Sequence, residues 1–294
     1  MGPRSTTGQL NQVFRLRDGR QLGFAEYGDL AGAPFMYCHG WPSSRLEPQA
    51  VAEVIRASGL RLVAADRPGY GLSDACPGRR IADWVEDVTQ LAEHLGWSRF
   101  GVLGVSGGGP YTAACAVRIP DRLTAVVMIC ALGPVDDPAA TEGMVGLNRR
   151  LLAFARNAPW LAQVLATSCM RLFWGHGEQV IPEEIEARLP PADQQVLARR
   201  EVREALIASS REALRPGPHG AASDGLLYAR PWGFRLEEVR VPVRLWHGEQ
   251  DVVVPPAMGR YIARKLPNCQ ATFTAEDGHF SLPFGRLGEI LRPV

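Results

Sequence analysis

The chain has 294 residues, of which 46% are hydrophobic and 21% are charged, and its formal net charge is +1. This composition, close to the globular average, excludes a disordered chain, a collagen-like repeat and a membrane-spanning protein. The basic residues are spread along the sequence, so there is no electrostatic footprint for nucleic acid or anionic lipid, and the length fits one α/β domain with an insertion.

The first predicted elements are strands. Asp18-Gly19 is a strong hairpin signal, and apolar and polar residues alternate on either side of it, which predicts two antiparallel strands. Three short apolar runs follow, and they predict buried strands because residues covered on both faces lose this alternation. Segments with a helical spacing of apolar residues separate the runs. The runs cover 34–38, 60–65 and 100–105, and the helical segments cover 48–58 and 81–95.

The alternation of strand and helix continues beyond residue 105 and is then interrupted. A helix over 111–118 and a strand over 125–132 come first, whereas 134–232 has helical patterns and no convincing strand, so we interpret it as an insertion. Strand and helix alternate again after it, which predicts a mostly parallel sheet with right-handed crossovers. Helices are predicted in the insertion over 144–157, 160–173, 181–189 and 192–214, and after it strands over 241–247 and 271–274 and helices over 256–265 and 285–291.

The segment Gly104-Val105-Ser106-Gly107-Gly108 matches the pattern G-x-S-x-G. It lies between a predicted strand and a predicted helix, which is where a nucleophile elbow has to lie. In such a turn the serine adopts a strained backbone conformation, and glycines avoid clashes with the neighbouring strand and helix. The sequence therefore predicts Ser106 as a nucleophile at a helix N-terminus, where the helix dipole favours developing negative charge.

A serine nucleophile requires a base within hydrogen-bond reach and an acid that holds the base in the right tautomer. In a strand–turn–helix context of this kind, the chain order is serine, acid, histidine. Asp251 and His279 each follow one of the later predicted strands, at the carboxyl ends where a parallel sheet places its ligands. We therefore predict His279 as the general base and Asp251 as the acid that orients it.

Other side chains are candidates for these roles. Glu249, Asp136 and Asp137 are alternative acids. The remaining histidines are interpreted as structural, surface or capping residues because of where they lie. His39 and His247 adjoin glycines at strand ends, and His94, His176 and His219 lie in helical or inserted segments.

An oxyanion hole needs two backbone N–H groups aimed at the oxygen of the tetrahedral intermediate. Gly107, the residue after the nucleophile, is predicted to supply one of them. The loop His39-Gly40-Trp41-Pro42 follows the strand that ends at Cys38 and is predicted to supply the other. Proline has no N–H, so we select Trp41. Its side chain is then expected to border the acyl pocket, with packing in the core as the alternative.

Five segments of the chain resemble landmarks of the α/β-hydrolase superfamily, in the order of that family and over almost the whole length. The resemblance implies a central, mostly parallel sheet, a helical cap at 134–232 and a core domain made of 1–133 and 233–294. It also implies catalysis without a metal or an organic cofactor. The segments are His39-Gly40-Trp41-Pro42, residues 66–73 (Asp-Arg-Pro-Gly-Tyr-Gly-Leu-Ser), residues 104–108, residues 247–255 and Gly278-His279-Phe280.

The same motifs argue against particular relatives. Haloalkane dehalogenases and soluble epoxide hydrolases look similar but carry aspartate at the elbow, where this chain has Ser106. Proline iminopeptidases usually have a second glycine at the position of Trp41. Residues 66–73 are interpreted as a structural turn, with Arg67 and Tyr70 at the entrance to the site as the alternative.

The predicted function is that of a serine hydrolase that cleaves an ester or related acyl bond of a small, hydrophobic substrate. Apolar and aromatic residues in the insertion suggest the hydrophobic character of the cleft. Similar proteins cleave carbon–carbon bonds, act as hydroxynitrile lyases, perform perhydrolysis or cyclise natural products, so these reactions stay open. A non-catalytic protein that binds a small molecule is a further alternative. No feature of the sequence sets an oligomeric state.

The cysteines and the N-terminus predict the compartment. The six cysteines form no CxxC pair and no zinc-site spacing with histidine, so we expect buried, reduced thiols. The first ten residues contain no apolar stretch of signal-peptide length. We therefore expect a cytoplasmic protein without a membrane span.

Overall fold

The computed structural model describes residues 9–135, 137, 140–141, 154–155, 157–174 and 186–292. Within these residues, eight strands form one sheet with the order β1-β2-β4-β3-β5-β6-β7-β8. The strands are β1 (Gln12–Arg15), β2 (Gln21–Gly28), β3 (Ala33–Cys38), β4 (Leu60–Ala65), β5 (Phe100–Val105), β6 (Leu123–Ile129), β7 (Val243–Gly248) and β8 (Cys269–Thr274).

The sheet has an antiparallel end and a parallel body. β1 and β2 form the predicted hairpin, and β2 also pairs antiparallel with β4. From β4 through β3 to β8, all neighbouring strands are parallel. The hairpin turn requires Gly19, whose φ of 89° lies in the left-handed region that glycine adopts without steric cost. The mostly parallel sheet predicted from the sequence is thus confirmed.

Strand β5 is at the centre of the core. All six of its residues are buried, because helices cover both faces of the parallel sheet. Phe100 and Val102 belong to an apolar cluster on one face, and Leu103 and Val105 belong to a cluster on the other. The side chains of a strand alternate between its two faces, so one continuous apolar run supplies both clusters.

Ten α-helices lie within the described ranges. Most match the predicted helices outside the insertion to within a few residues, although 48–58 and 81–95 each begin with a 3₁₀ turn. The helices are α1 (Ala52–Ala57), α2 (Trp84–His94), α3 (Gly109–Arg118), α4 (Pro159–Trp174), α5 (Pro191–Leu197), α6 (Arg200–Ala213), α7 (His219–Tyr228), α8 (Pro256–Lys265), α9 (Ser281–Gly285) and α10 (Leu287–Ile290).

The helices between β6 and β7 differ in part from the prediction. Helix α4 agrees with the helix expected over 160–173, whereas the single helix expected over 192–214 is wrong. The chain is extended at Arg199, with a ψ of 122°, so that α5 packs against α9 while α6 packs against a turn at Glu47–Val51. Helix α7 was not predicted. The helix over 144–157 and the one over 181–189 lie mostly outside the described residues.

The connections between strands place two loops beside each other. β3 lies between β4 and β5, so the chain passes from β3 to β4 on one side and later crosses to β5 on the other. Parallel sheets bind ligands in the crevice at the carboxyl ends of strands where the order reverses in this way. The loops that follow β3 and β5 carry Trp41 and Ser106, respectively. Across the described ranges, every helix is too short or too polar to cross a bilayer.

Candidate active site

Ser106 occupies the sharp turn between β5 and α3. Its φ of 53° is in the left-handed region, which is unfavourable for a residue with a side chain and usually persists only where the surrounding structure enforces it. The strand ends at Val105, a 3₁₀ turn covers Ser106–Gly108, and α3 begins at Gly109. The predicted strand–turn–helix context of the serine is therefore present.

Three glycines around Ser106 make room for this turn. A Cβ at Gly104 would overlap the hydroxyl of Thr112, and a Cβ at Gly108 would overlap the carbonyl oxygen of Cys38. At Gly107 it would lie 2.8 Å from both the Tyr228 hydroxyl oxygen and the Trp41 Cβ. The elbow therefore packs against the loop after β3 so closely that only glycine fits at these positions.

Asp251 and His279 form a buried hydrogen-bonded pair. Asp251 Oδ2 lies 2.7 Å from His279 Nδ1, and both side chains are almost fully buried. The other oxygen, Oδ1, accepts the backbone N–H groups of Val253 and Val254, each at 2.8 Å. The carboxylate therefore uses one oxygen to fix its own position and the other to orient the imidazole ring.

The electrostatics of the pair favour charge on both partners. Burial by itself raises the pKa of Asp251, but the charge and hydrogen bond of His279 outweigh burial and lower that pKa. Burial also acts to lower the pKa of His279, and the Asp251 carboxylate overcomes it, so the pKa of His279 is raised. The pair is suited to holding an imidazolium ion that forms during a reaction.

The loop that carries His279 is held in place by hydrogen bonds to Asp193, which no sequence motif indicated. Asp193, wholly buried in α5, accepts the backbone N–H of His279 with Oδ2 at 2.8 Å. Its Oδ1 accepts the N–H groups of Phe280 and Ser281 at 3.0 and 2.8 Å. Gly278 is required here because a Cβ on it would overlap the Asp193 carboxylate.

The alternative acids are engaged elsewhere or lie outside the described residues. Glu249 pairs with Arg260 at 2.5 Å on the surface, and Asp137 accepts the Tyr261 hydroxyl at 2.5 Å. Asp136 lies outside the described residues. His247 Nε2 is 2.9 Å from the carbonyl oxygen of Val254, which agrees with its interpretation as a structural histidine.

His39 shapes the loop that follows β3. Its Nδ1 lies 2.9 Å from the carbonyl oxygen of Gly40, and its Nε2 accepts the backbone N–H of Arg67 at 3.3 Å. Burial, reinforced by the charge of Arg67, holds the pKa of His39 well below its ordinary value. A neutral ring with its proton on Nδ1 satisfies both contacts, so His39 is structural, as the sequence indicated.

Glu47 holds the same loop from another side. Its Oε2 accepts the backbone N–H of Gly40 at 2.8 Å and the hydroxyl of Tyr37 at 3.0 Å. A Cβ on Gly40 would lie 3.0 Å from Glu47 Oε1 and 3.7 Å from Ser106 Cβ, so the loop passes directly beside the elbow. Glu47 could not be predicted from the sequence, since no local pattern distinguishes this acid from a surface residue.

Trp41 and Gly107, the predicted oxyanion donors, are neighbours in space. Trp41 is 38% exposed, and its indole N–H donates to the carbonyl of Ala221 at 2.7 Å. The carbonyl of Ser106, which shares a peptide plane with the Gly107 N–H, accepts the N–H of Leu132 at 2.9 Å. Since the carbonyl and N–H of a trans peptide point in opposite directions, the Gly107 N–H is directed away from Leu132.

The elbow and the histidine pair are joined only indirectly. Within the described ranges, no hydrogen bond runs from Ser106 Oγ to the His279 ring. The segment after β6 contacts the elbow and the loop of His279. The Leu132 N–H donates to the Ser106 carbonyl, and Cys130 Sγ lies 3.6 Å from the Gly278 carbonyl oxygen. Contacts between a nucleophile and its base are often long without substrate and tighten in the reactive complex.

One group of side chains has the donor types and spacing of a metal site. Among the described residues, ligand atoms of Cys130, Asp251 and His279 lie within 4.8 Å of one another. However, Asp251 and His279 already share a 2.7 Å hydrogen bond, and burial raises the pKa of the Cys130 thiol well above its ordinary value. This arrangement favours a hydrogen-bonded pair over a set of metal ligands.

Comparisons with known proteins agree with the fold. A family model described as alpha/beta hydrolase fold matches residues 33–176. The chain is 31% identical over 120 residues to a non-heme chloroperoxidase of Streptomyces lividans, and this match covers 40% of this chain and 44% of that protein. It is 26% identical over 250 residues to a bifunctional esterase/perhydrolase of Acinetobacter calcoaceticus, covering 81% of this chain and 82% of that protein.

A solved structure extends the similarity to nearly the full length. A thermophilic esterase from Thermogutta terrifontis matches with a TM-score of 0.66 at 24% identity, over 95% of each chain. The eight-stranded, mostly parallel sheet and the serine elbow after β5 fit the same architecture. The chain therefore has the α/β-hydrolase fold.

Proposed function

We propose that this protein is a serine hydrolase that cleaves an ester or related acyl bond through an acyl-enzyme. Ser106 is the nucleophile, His279 the general base and Asp251 the acid that orients it. The observation that supports this proposal most strongly is the buried 2.7 Å contact between Asp251 Oδ2 and His279 Nδ1. The same structure holds Ser106 at a positive φ in the turn after β5. Groups with these roles define the triad mechanism on several unrelated folds.

The protonation of His279 follows from its contacts. Nδ1 faces a carboxylate oxygen that can only accept, so Nδ1 carries the proton and Nε2 has a free lone pair. Nε2 then removes the proton of Ser106 as Oγ attacks the acyl carbon, and Asp251 stabilises the resulting imidazolium. His279 returns this proton to the leaving alcohol. Water, activated by the same nitrogen, releases the acid from Ser106 in the second half of the reaction.

The N–H groups of Trp41 and Gly107 complete the mechanism as an oxyanion hole. Two observations support this role. The Trp41 Cβ lies close to Gly107, and the Ser106 carbonyl accepts the Leu132 N–H, so that the Gly107 N–H of the same peptide points away from Leu132. Donors fixed before the reaction stabilise the developing oxyanion without a reorganisation cost.

We also propose that 134–232 forms a cap over this site and that the substrate is small and hydrophobic. Two contacts from this segment support the cap: Asp193 binds the His279 loop, and the Ala221 carbonyl binds the Trp41 side chain. Half-exposed Trp41 is a suitable wall for an apolar acyl group.

For the location, we propose the cytoplasm. Five cysteines whose side chains the structure describes are free thiols, as expected in a reducing compartment. They are Cys38, Cys76, Cys115, Cys130 and Cys269.

Hydrolysis of p-nitrophenyl esters with two to eight acyl carbons tests the proposed reaction. Ser106→Ala is expected to lower kcat by roughly six orders of magnitude and to abolish labelling by a fluorophosphonate. The matched control is Ser58→Ala, which removes a hydroxyl bonded to the Val54 carbonyl at the end of α1 and should keep full activity. Activity that survives in Ser106→Ala would refute the assignment of the nucleophile.

Perhydrolysis is the second candidate, because one relative that aligns over 81% of this chain is a bifunctional esterase/perhydrolase. Hydrogen peroxide would attack the acyl-enzyme in place of water, releasing a peracid and restoring the Ser106 hydroxyl. The test is peracid formation from acetate and hydrogen peroxide, measured by oxidation of bromide. Peracid formation that depends on Ser106 supports this reaction, and its absence in an active esterase excludes it.

A further inference from the structure

A buried group of charged and hydroxyl side chains lies behind the loop that carries Trp41. Its centre is Asp224, which is wholly inaccessible to solvent and comes from α7, between β6 and β7. Four side chains that are distant in sequence direct donors to its two carboxylate oxygens. They are Arg67 through Nε at 2.6 Å, Tyr70 at 2.8 Å, Tyr111 at 2.6 Å and Arg79 through Nη2.

The carboxylate of Asp224 is ionised in this cluster. Burial alone raises the pKa of Asp224, but the charges of Arg67 and Arg79 outweigh burial and bring the pKa far below its ordinary value. Two buried cations therefore depend on one buried anion. Removing that anion would leave Arg67 and Arg79 unpaired in the interior and repelling each other, which is unfavourable.

Arg67 connects Asp224 to the loop after β3. While Nε binds Asp224, Nη1 donates to the carbonyl of His39 at 2.5 Å and Nη2 donates to the carbonyl of Gly40 at 2.9 Å. The guanidinium is planar and rigid, so fixing one edge against the carboxylate fixes the direction of the other donors. The rings of Tyr70 and Tyr111 lie 5.1 and 4.8 Å from its central carbon and restrict it further.

The Gly40 carbonyl controls the direction of the Trp41 N–H. Both belong to one planar trans peptide, in which C=O and N–H point in opposite directions. Arg67 Nη2 and His39 Nδ1 both hold this carbonyl at 2.9 Å, so the Trp41 N–H points away from the cluster. The loop lies against the elbow on another side, where a Cβ on Gly40 would be 3.7 Å from Ser106 Cβ.

Tyr228 extends the cluster to the elbow itself. Its hydroxyl lies 2.9 Å from the Gly107 carbonyl oxygen and 3.3 Å from Asp224 Oδ2, and its single proton goes to the nearer acceptor. Arg67 Nη2 approaches the same hydroxyl at 3.4 Å. The segment between β6 and β7 therefore contacts both backbone stretches that supply the proposed oxyanion donors.

We propose that Asp224 is a positioning residue for the oxyanion hole: it holds Arg67 in the orientation that fixes the Gly40 carbonyl and thereby aims the Trp41 N–H. This inference rests on the proposed function. It gives α7 a part in the chemical step in addition to any part in covering the substrate. Displacement of α7 would release Arg67 and loosen the oxyanion hole.

Asp224→Asn tests the proposal because it retains the shape of the side chain and removes its charge. For p-nitrophenyl butyrate, kcat is expected to fall about 10- to 100-fold while KM stays within about 2-fold, since the lost contact acts in the transition state. A trifluoromethyl ketone, which forms a tetrahedral oxyanion on the serine, should lose affinity in parallel with kcat/KM. A purely structural role would not produce this parallel loss.

The matched control is Glu26→Gln. Glu26 is also largely buried and pairs with Arg61 at 2.6 Å, but it lies on β2 at the antiparallel end of the sheet. It should lose stability and keep the kcat and inhibitor affinity of the wild type. If Asp224→Asn does not fold, Arg67→Lys provides the second test, because a lysine keeps the charge but cannot bridge Asp224 and two carbonyls.

The possible results distinguish a positioning role of Asp224 from general destabilisation and from a failure of the proposed function. Wild-type kcat and wild-type inhibitor affinity in either folded variant would overturn the role of Asp224. A loss of kcat in Glu26→Gln equal to that in Asp224→Asn would also overturn it, since the effect would then be general destabilisation. A wild-type protein that hydrolyses no ester and resists a fluorophosphonate would instead refute the proposed function, and this inference with it.

Discussion

Asp193 Oδ2 accepts the backbone N–H of His279 at 2.8 Å, although the two residues are 86 positions apart in the sequence. The same carboxylate accepts two more N–H groups, those of Phe280 and Ser281, where α9 begins. Free N–H groups at the start of a helix need an acceptor, and here it comes from α5. The position of the proposed general base therefore depends on a helix that the chain forms between β6 and β7.

Asp193→Asn is predicted to weaken this support. An asparagine has one oxygen, so at least one of the three N–H groups loses its acceptor, at a cost of about 1–3 kcal/mol in the free energy of unfolding. We expect kcat to fall about 10-fold as the His279 loop becomes less well placed. Urea unfolding and ester hydrolysis measure the two effects. Exposed Asp121→Asn is the control, and equal behaviour of the two variants would contradict the role of Asp193.

The pH dependence of hydrolysis follows from the raised pKa of His279. The base must be neutral to accept a proton, so kcat/KM should rise with pH through an inflection above the ordinary value of 6.5. The same shift favours the folded state below pH 6.5, and that contribution is lost as the pH rises through the raised pKa. An inflection below 6.5 would contradict the influence of Asp251.

Asp251→Asn separates orientation from basicity. Burial is the largest influence that lowers the pKa of His279, so without the carboxylate the inflection should move to lower pH. The kcat should fall about 10⁴-fold, because an asparagine no longer holds the reactive tautomer. Glu249→Gln is the matched control, since Glu249 pairs with Arg260 and should leave both the inflection and kcat unchanged. A loss of kcat and a shifted inflection in Glu249→Gln, with both unchanged in Asp251→Asn, would assign the role of the acid to Glu249.

Gly108→Ala is predicted to distort the elbow. The new Cβ would overlap the Cys38 carbonyl, and relieving the overlap should cost about 2–3 kcal/mol in the free energy of unfolding. The kcat should also fall, because Cys38 directly precedes the loop that carries Trp41. Gly96→Ala is the control: its φ is also positive, yet its Cβ has open space, so it should cost about 1–2 kcal/mol and keep its kcat.

Trp41→Ala tests the two expectations for this side chain. If the indole borders the acyl pocket, KM should rise for esters of long acyl chains. The loss of binding free energy should be up to about 0.8 kcal/mol for each methylene that loses contact with the indole. The kcat for the acetate ester should change little, because the backbone N–H remains. A fall in stability with no dependence on acyl length would indicate core packing instead.

The sharp turn at Ser106 could be predicted from the sequence because its requirements are local. The apolar run before Ser106 produced the buried strand β5, and the glycines at 104, 107 and 108 stand where a Cβ would meet neighbouring atoms. Asp251 and His279 were placed by counting strands, since each follows a strand of the parallel body. The strand order itself depended on the crossover pattern.

The helices between β6 and β7 were harder to predict. Helix α7 is rich in alanine and glycine, so it lacks the strong apolar periodicity by which helices are recognised. The break at Arg199 arises because α5 and α6 pack against different partners, and a local pattern contains no record of either. The division into a core of 1–133 and 233–294 and a cap of 134–232 stays a prediction.

By itself, the sequence determined the order of the strands along the chain, the strained serine and the residue types of the proposed triad, because these follow from short-range periodicity, glycine geometry and spacing. Only the tertiary structure decided which acids support the site. Asp193 and Asp224 look like ordinary helical residues, and they become buried hydrogen-bond acceptors only when distant N–H groups and arginines fold around them. A contact between residues 86 or 157 positions apart leaves no local pattern, since its stability comes from the fold that joins them.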